Sequence, residues 1–277
     1  MGLRVNTNVQ SLAAQRHLGV NSNSQQKALE QLSSGSRINR AADDAAGLAI
    51  SEKLRGEIRS MKQATRNAND GVSLVQVAEG AMNEIGNIIV RMRELSIQAA
   101  SDTIGDTERQ YVDREIQQLK SEVDRIANST EFNGQKLLNN SLPSLEIQVG
   151  THNSPENDRL VFDTKDKEST TGALGLSGIS AGEKSGAQSS LEKLDAAVDK
   201  LSSNRASLGA IQNRLSSTIN NLMIYQENLG AANSRIRDTD MAEQTSELTR
   251  ANILTNTAVS VLGQANQTPQ LALKLLG

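Results

Sequence analysis

Few residues in this chain could perform chemistry. Asp43 and Asp44 are adjacent carboxylates, and His17 and His152 are the only histidines. Acid–base catalysis needs two groups that face one substrate, but neighbouring residues on a helix do not face each other. Because a long helical pattern follows the two carboxylates, we interpret them as the N-cap and first-turn charge of that helix.

Metal and phosphate sites are equally poorly supported. The sequence contains no His-Glu-x-x-His zinc motif, and its carboxylates do not cluster with a histidine at ligand spacing. No glycine-rich phosphate-binding loop follows a strand pattern. We therefore expect no catalytic residue, no metal site and no cofactor, and an enzyme is the least favoured class of protein.

The composition excludes further classes. Among 277 residues there are two Phe, two Tyr and no Trp, so aliphatic side chains must fill the core, as in seams between long helices. The net charge is −3 and no Lys/Arg run or aromatic platform is present, so we expect no nucleic-acid partner. Cysteine is absent, and no stretch approaches 18 apolar residues. We expect no membrane insertion, and export, if it occurs, by a route without a cleaved signal peptide.

Three runs of apolar residues at steps of three and four predict long helices. The first covers residues 45–100, and a shorter run from Val112 to Ile126 follows a break at 101–107. The third covers residues 188–236 and would be about 70 Å long at a rise of about 1.5 Å per residue. Helices of this length favour an elongated molecule.

The middle of the chain has a different character. Apolar and polar residues alternate in two short segments, which predicts a β-hairpin region at about 139–187. The apolar members of that alternation are Leu145, Ile147, Val149, Leu160 and Phe162. Asn133-Gly134 predicts a turn, and the Gly-, Ser- and Thr-rich residues 169–186 predict a loop.

Both ends of the chain carry apolar stripes that a lone helix would leave uncovered. We predict that these stripes pack on each other and on other copies of the chain. Their members are Val5, Val9, Leu12, Leu29 and Leu32 at the N-terminal end, and Met241, Leu248, Ala251, Leu254, Ala258 and Val261 at the C-terminal end.

The predicted fold class is therefore mainly α: an elongated, antiparallel helical rod or coiled coil with a small β-hairpin region and with terminal helices that pair at one end. We predict an inner domain formed by residues 1–44 and 236–277, and a rod domain formed by residues 45–235.

Several segments resemble bacterial flagellins. Residues 32–50, LSSGSRINRAADDAAGLAI, are similar to the flagellin N-terminal signature. Residues 234–245, SRIRDTDMAEQT, and residues 261–270, VLGQANQTPQ, resemble the C-terminal signature, and residues 132–138, FNGQKLL, resemble a flagellin turn. The resemblance follows the chain order over nearly the whole length. Only a short middle segment separates the rod segments, so the chain resembles a minimal flagellin without the variable outer domains.

The resemblance implies a secreted, extracellular structural subunit of the flagellar filament, which assembles helically with other copies of itself and serves swimming motility. It further implies unfolded export through the flagellar type III channel, with an export chaperone, a filament cap and hook-junction proteins as partners. Terminal segments of flagellins order on assembly. A hook–filament junction protein and a secreted receptor-binding module remain as alternatives.

One charged segment has two interpretations. Arg91 and Leu95 lie in a helical run, with Glu115 on the next helix, and the residues alone fit a solvated helix face beside the core. In flagellins a similar segment packs between subunits and contacts Toll-like receptor 5. The resemblance therefore implies that Arg91, Leu95 and Glu115 contribute to subunit packing and to receptor contact.

Overall fold

A computed structural model describes residues 7–141 and 144–274, with side chains described as far as residue 267. The chain is mainly α-helical and contains two small antiparallel sheets, as predicted. In chain order the elements are α1 (Val9–Ser34), α2 (Ala45–Ala100), α3 (Asp106–Ser129), β1 (Glu131–Phe132), β2 (Gln135–Lys136), β3 (Ser144–Gln148), α4 (Pro155–Asp158), β4 (Arg159–Asp163), α5 (Lys184–Arg237) and α6 (Met241–Lys274).

The described chain separates into two compact units. The first contains residues up to Ile58 together with those from Glu227 onward, and the second contains Arg59–Gln226. These boundaries fall inside α2 and α5, so each long helix contributes to both units.

The second unit has a continuous aliphatic core built on α2. The apolar stripe of α2 lies at the centre of this core. Its apolar residues, which recur at steps of three and four from Val75 to Ala99, are all buried. Met82, Ile85, Ile89 and Met92 are fully inaccessible to solvent. The helical period in the sequence therefore identified the buried face of α2 correctly.

Helix α5 packs antiparallel against α2 in this unit. Arg93 Nε donates to Asp195 Oδ1 at 2.6 Å, and a Cβ atom on Gly86 would lie 3.3 Å from Leu201 Cδ2, so glycine allows the close approach. The seam of α5 passes through Ala197 and Asn204, whereas the adjacent Val198 is half-buried and Arg205 is exposed. A small residue and a polar residue therefore occupy the seam at these two turns.

The segment between β4 and α5 is irregular, as predicted, but it is tightly bound to α3. Asp124 accepts hydrogen bonds from the backbone and side chain of Thr171 at 2.8 and 2.7 Å, and Asp113 accepts one from Ala181 N at 2.7 Å. Leu176 and Ile179 of the segment are buried in the core. The segment is thus an ordered cover over α3.

Both predicted β features are present. Asn133 and Gly134 form the two-residue turn between β1 and β2, with φ values of 51° and 78°. Strands β3 and β4 pair antiparallel with Ile147 opposite Leu160. Val149 and Phe162 are buried, which explains the alternation seen in the sequence.

The core of the second unit generates a stability prediction. Replacing Ile89 with Ala should lower the free energy of unfolding by about 2–5 kcal/mol, because a fully buried branched side chain is lost and a cavity remains. Thermal denaturation of the full-length chain, followed by circular dichroism, measures the effect.

The neighbouring residue provides a matched control. Val90 is 49% exposed, so replacing it with Ala should change stability by about 0.5 kcal/mol or less. Equal losses in the two variants would contradict this assignment of the core.

Candidate assembly interface

In the first unit, the terminal helices α1 and α6 pair antiparallel. Gln25 Nε2 donates to Asn252 Oδ1 at 2.7 Å, and Asn8 Nδ2 donates to the Ala265 carbonyl at 2.7 Å. Asn8 also caps α1, because its Oδ1 accepts from Ser11 N at 3.0 Å. The predicted pairing of the terminal helices is therefore confirmed for the described residues.

The seam between these helices is narrow and poor in large apolar side chains. Its buried and half-buried positions alternate at steps of three and four, as in a two-stranded coiled coil. The positions at this spacing are Ser11, Ala14, Leu18, Asn21, Gln25, Ala28 and Leu32 on α1, and Gln244, Leu248, Ala251, Thr255, Ala258, Leu262 and Ala265 on α6. Gln31, next to Leu32, is also buried. Small and polar residues predominate, so the pair buries little apolar surface by itself.

The structure divides the predicted stripe residues into two groups. Ala251 is buried and Leu32, Leu248 and Ala258 are half-buried in the seam. The others lie outside the seam and are exposed in the chain by itself: Val9, Leu12, Leu29, Met241, Leu254 and Val261. Val5 lies outside the described residues.

The exposed group forms apolar flanks beside the seam. Leu254 and Val261 lie one heptad apart on α6, and their exposed fractions are 45% and 51%. Ile253 and Val259 of the same helix are also exposed. Large apolar side chains beside an incomplete seam are typical of surfaces that other molecules cover.

The sequence pattern missed several seam residues. Ser11, Ala14 and Ala28 are buried on α1, yet none is a large apolar residue. The available signal was the unbroken step of three and four from Ser11 to Leu32, which appears only when alanine and small polar residues are counted as seam positions.

The two carboxylates between α1 and α2 have different structural roles. Asp44 Oδ1 accepts from Gly47 N at 2.8 Å and caps α2, as predicted. The prediction of a first-turn charge was wrong for Asp43, which lies before the helix. Its carboxylate accepts from Asn39 N and Arg40 N, and Lys27 Nζ of α1 lies 2.9 Å away. The bond to Lys27 and the backbone donors lower the pKa of Asp43 to about 2.

A second candidate surface lies on α2 and α3. The guanidinium group of Arg91 donates to Glu115 Oε1 at 3.0 Å and to Glu94 Oε2 at 3.2 Å, and these bonds raise the pKa of Arg91, the bond to Glu115 most. The structure thus brings Arg91 and Glu115 together across two helices. Leu95 is only 2% exposed, so it supports this surface from beneath and does not form part of it.

Metal ligation and membrane spanning can be assessed for the described residues. Among them, no three His, Asp or Glu side chains are grouped so that they could hold a metal ion. No described helix has a stretch long and apolar enough to cross a membrane. His17 and His152 are both exposed.

A closed aliphatic core in one unit and a terminal helix pair with uncovered flanks in the other are typical of helical structural proteins that assemble with other chains. Residues 5–142 match the family model described as the bacterial flagellin N-terminal helical region, and residues 191–276 match the bacterial flagellin C-terminal helical region. The chain belongs to the bacterial flagellin family, and it is a structural subunit of the flagellar filament.

Individual relatives support the assignment of the chain to this family. A flagellin of Halalkalibacterium halodurans is 47% identical over 272 residues, which is 98% of this chain and 99% of that protein. The chain therefore matches a relative of similar length, which fits a minimal flagellin. The crystal structure of Bacillus cereus flagellin is 32% identical, with a TM-score of 0.50 over 57% of this chain and 88% of that chain.

A hook-associated protein is similar in fold alone. The structure of a protein from Vibrio parahaemolyticus, titled as a putative flagellar hook-associated protein, has a TM-score of 0.58 over 71% of this chain and 100% of that chain. Its sequence identity is 11%. The family models and the full-length relative favour flagellin over the hook–filament junction alternative.

The environment of Asp43 predicts that the stability of the first unit decreases at acidic pH. A carboxylate with a lowered pKa stabilises the fold above its unfolded value of about 3.8, and this contribution is lost as the pH falls toward 2. Replacing Asp43 with Asn should lower the thermal midpoint at pH 6 and reduce its dependence on pH between about 4 and 2.

Thermal melts of the full-length chain at several pH values measure the effect. Asp199, an exposed residue of α5, provides the control. If the Asp43→Asn and Asp199→Asn variants have the same pH profile as the unmodified chain, the bond to Lys27 does not stabilise the fold.

Proposed function

We propose that α1 and α6 are the assembly elements of this filament subunit and that the exposed apolar flanks are covered by neighbouring copies. The observation that carries the proposal is the contrast between the units. The second unit closes its core, whereas α6 leaves Leu254 and Val261 about half exposed beside a seam of small residues. Contacts between copies that do not close into a ring generate a helical filament.

The same contrast supports ordering of the terminal helices during assembly. A long helix pair gains most of its stability from packing, and ordering each residue costs about 1–2 kcal/mol of backbone entropy. The seam between α1 and α6 offers little apolar burial against this cost, whereas a neighbouring copy would add burial of Ile253, Leu254 and Val261. We infer that the pair is only marginally stable in the free chain and becomes fully stable when the next subunit covers it.

Ordering on assembly fits a secreted, extracellular subunit exported in an unfolded form. The partners that follow are the flagellar export chaperone, which would cover the C-terminal segment, and the filament cap and hook-junction proteins at the ends of the filament. Of the two domains predicted, the inner one contains residues 1–44 and 236–277, and the rod contains residues 45–235. The backbone bridge between Ser36 and Asp238 supports this division, because both polypeptide segments leave their helices there.

The surface formed by Arg91 and Glu115 is our candidate for lateral packing between subunits and for contact with Toll-like receptor 5. Both side chains are about half exposed, and both are fixed on long helices of the closed unit. Exposed ion pairs contribute little to stability, about 0–1 kcal/mol, so their value lies in orientation and complementarity toward a partner.

The flank generates an assembly prediction. Replacing Leu254 with Asp should abolish filament growth on preformed seeds, because a carboxylate would be buried without a partner between copies. Folding of the second unit should not change, because Leu254 belongs to the first. Electron microscopy and sedimentation measure growth, and circular dichroism reports folding.

Asn256→Asp provides the charge-matched control. Asn256 is exposed on α6 and lies on the side away from the seam, so this variant should retain more growth than Leu254→Asp. Filaments of normal length from Leu254→Asp would refute the proposal that neighbouring copies cover this flank.

The charged surface generates a second prediction. Charge reversal by Arg91→Glu should reduce filament growth and receptor signalling at least about tenfold, through repulsion with Glu115 and lost complementarity. The double variant Arg91→Glu with Glu115→Arg should restore the melting temperature, because the ion pair forms again with its charges exchanged. Filament growth should recover only as far as it depends on this pair within one subunit. Reporter cells carrying Toll-like receptor 5 measure signalling.

The variant Leu95→Ala distinguishes the effect of a weakened core from the effect of a changed charged surface. Because Leu95 is buried, this variant should lose stability and should affect signalling only through unfolding. Unchanged growth and signalling in Arg91→Glu would exclude the surface from both roles.

A further inference from the structure

The segment that connects α1 to α2 and the segment that connects α5 to α6 are joined by a backbone bridge. Arg37 N donates to the Arg237 carbonyl at 2.6 Å, and Thr239 N donates to the Gly35 carbonyl at 3.0 Å. Ser36 and Asp238 lie opposite each other between these bonds. We call this pairing of residues 35–37 with residues 237–239 the junction bridge.

The Arg37 side chain reinforces the junction bridge. Its Nε and Nη2 atoms donate to the Ile236 carbonyl at 3.2 and 2.8 Å, on the last turn of α5. The final carbonyls of a helix have no partner within the helix and carry partial negative charge, so a guanidinium group there satisfies one of them and interacts favourably with the helix dipole. Arg37 therefore connects the segment after α1 directly to the segment before α6.

The junction bridge is anchored to α1 and α6 through their ends. Gln31 Nε2 of α1 donates to the Arg37 carbonyl at 2.7 Å, and Gly35 ends α1 with φ at 68°, a conformation that favours glycine. On the other side, Asp240 Oδ1 accepts from Ala242 N at 2.8 Å and caps α6. The C-terminal end of α1 and the N-terminal end of α6 are thus both held at the bridge.

The seam itself discriminates poorly between registers. Alanine occupies three seam positions of α6 at intervals of one heptad: Ala251, Ala258 and Ala265. A slip of seven residues would therefore replace one alanine by the next. Hydrogen bonds from Gln25 to Asn252, from Ser11 to Asn266 and from Asn8 to the Ala265 carbonyl favour the native register, but they form only after the helices have met. A seam of this kind needs a fixed point outside it.

We propose that the junction bridge sets the register of α1 against α6, so that the two helices pair outward from it, and that Arg37 is the positioning residue of this step. The proposal rests on the proposed assembly function, because correctly paired terminal helices are the elements that neighbouring copies cover. A slipped pair would place Leu254 and Val261 one heptad away from their contacts on the next copy.

A cross-linking experiment on the full-length chain tests the register directly. The chain contains no cysteine, so two engineered pairs are unambiguous. Gln25→Cys with Asn252→Cys reports the native register, and Gln25→Cys with Val259→Cys reports a slip of one heptad. With Arg37 present, the native pair should form the large majority of disulfide under mild oxidation.

Substitution of Arg37 should shift the ratio between the two cross-links. Arg37→Ala should raise the slipped share about tenfold, the scale expected when charge-assisted hydrogen bonds are lost. Arg37→Lys keeps the charge but lacks the planar fork, so it should restore the ratio only partly. General destabilisation would lower both cross-links equally and leave the ratio unchanged.

Arg40→Ala is the matched control. Arg40 lies in the same turn and pairs with Glu30 of α1 at 2.9 Å, and its described hydrogen bonds involve only α1 and this turn. An unchanged ratio in Arg37→Ala, or an equal change in Arg40→Ala, would overturn the proposal. Because the cross-links form in the free chain, failure of the wild-type chain to polymerise would contradict the assembly function separately.

Discussion

The structure depends on the small seam between α1 and α6. Two helices of this length normally stabilise each other through rows of Leu, Ile or Val, but the most deeply buried positions here include Ser11, Ala14 and Ala28 on α1 and Ala251 and Ala265 on α6. Small side chains let the helices approach closely while burying little apolar area. Most of the described large apolar residues of α1 and α6 lie on the flanks, where they are exposed in the chain by itself. The terminal pair is therefore incomplete by construction.

The second unit shows what a complete seam looks like in the same chain. Its α2 stripe is closed by α5, by α3 and by the irregular cover, and four of its large residues have no solvent access. In the proposed assembly, this difference makes the second unit the part of the molecule that is stable before neighbouring copies bind. A stiff, closed unit can also hold charged residues such as Arg91 and Glu115 in one geometry, which two flexible segments could not do.

The sequence predicted the parts of the fold that follow from local periodicity. The long helices, the Asn133-Gly134 turn and the β3–β4 hairpin were all visible, because each has a period or turn signal of its own. The terminal seam was not, since large apolar residues marked the flanks and the buried positions were alanine, serine and glutamine. The irregular cover over α3 depends on Asp113 and Asp124, whose partners lie far along the chain. Contacts of that kind leave no periodic signal in the sequence.

In the proposed assembly, the two types of surface have different roles. Apolar flanks supply free energy, because burial of aliphatic area is favourable at any orientation that excludes water. They supply little specificity, since a row of similar side chains accepts a shifted neighbour almost as well. Polar contacts have the opposite properties: exposed ion pairs add little energy but tolerate few geometries. A filament needs both, because a subunit that binds strongly in several registers would not build a regular polymer. We propose that the apolar flanks, the junction bridge and the charged surface on α2 and α3 meet these requirements with different residues.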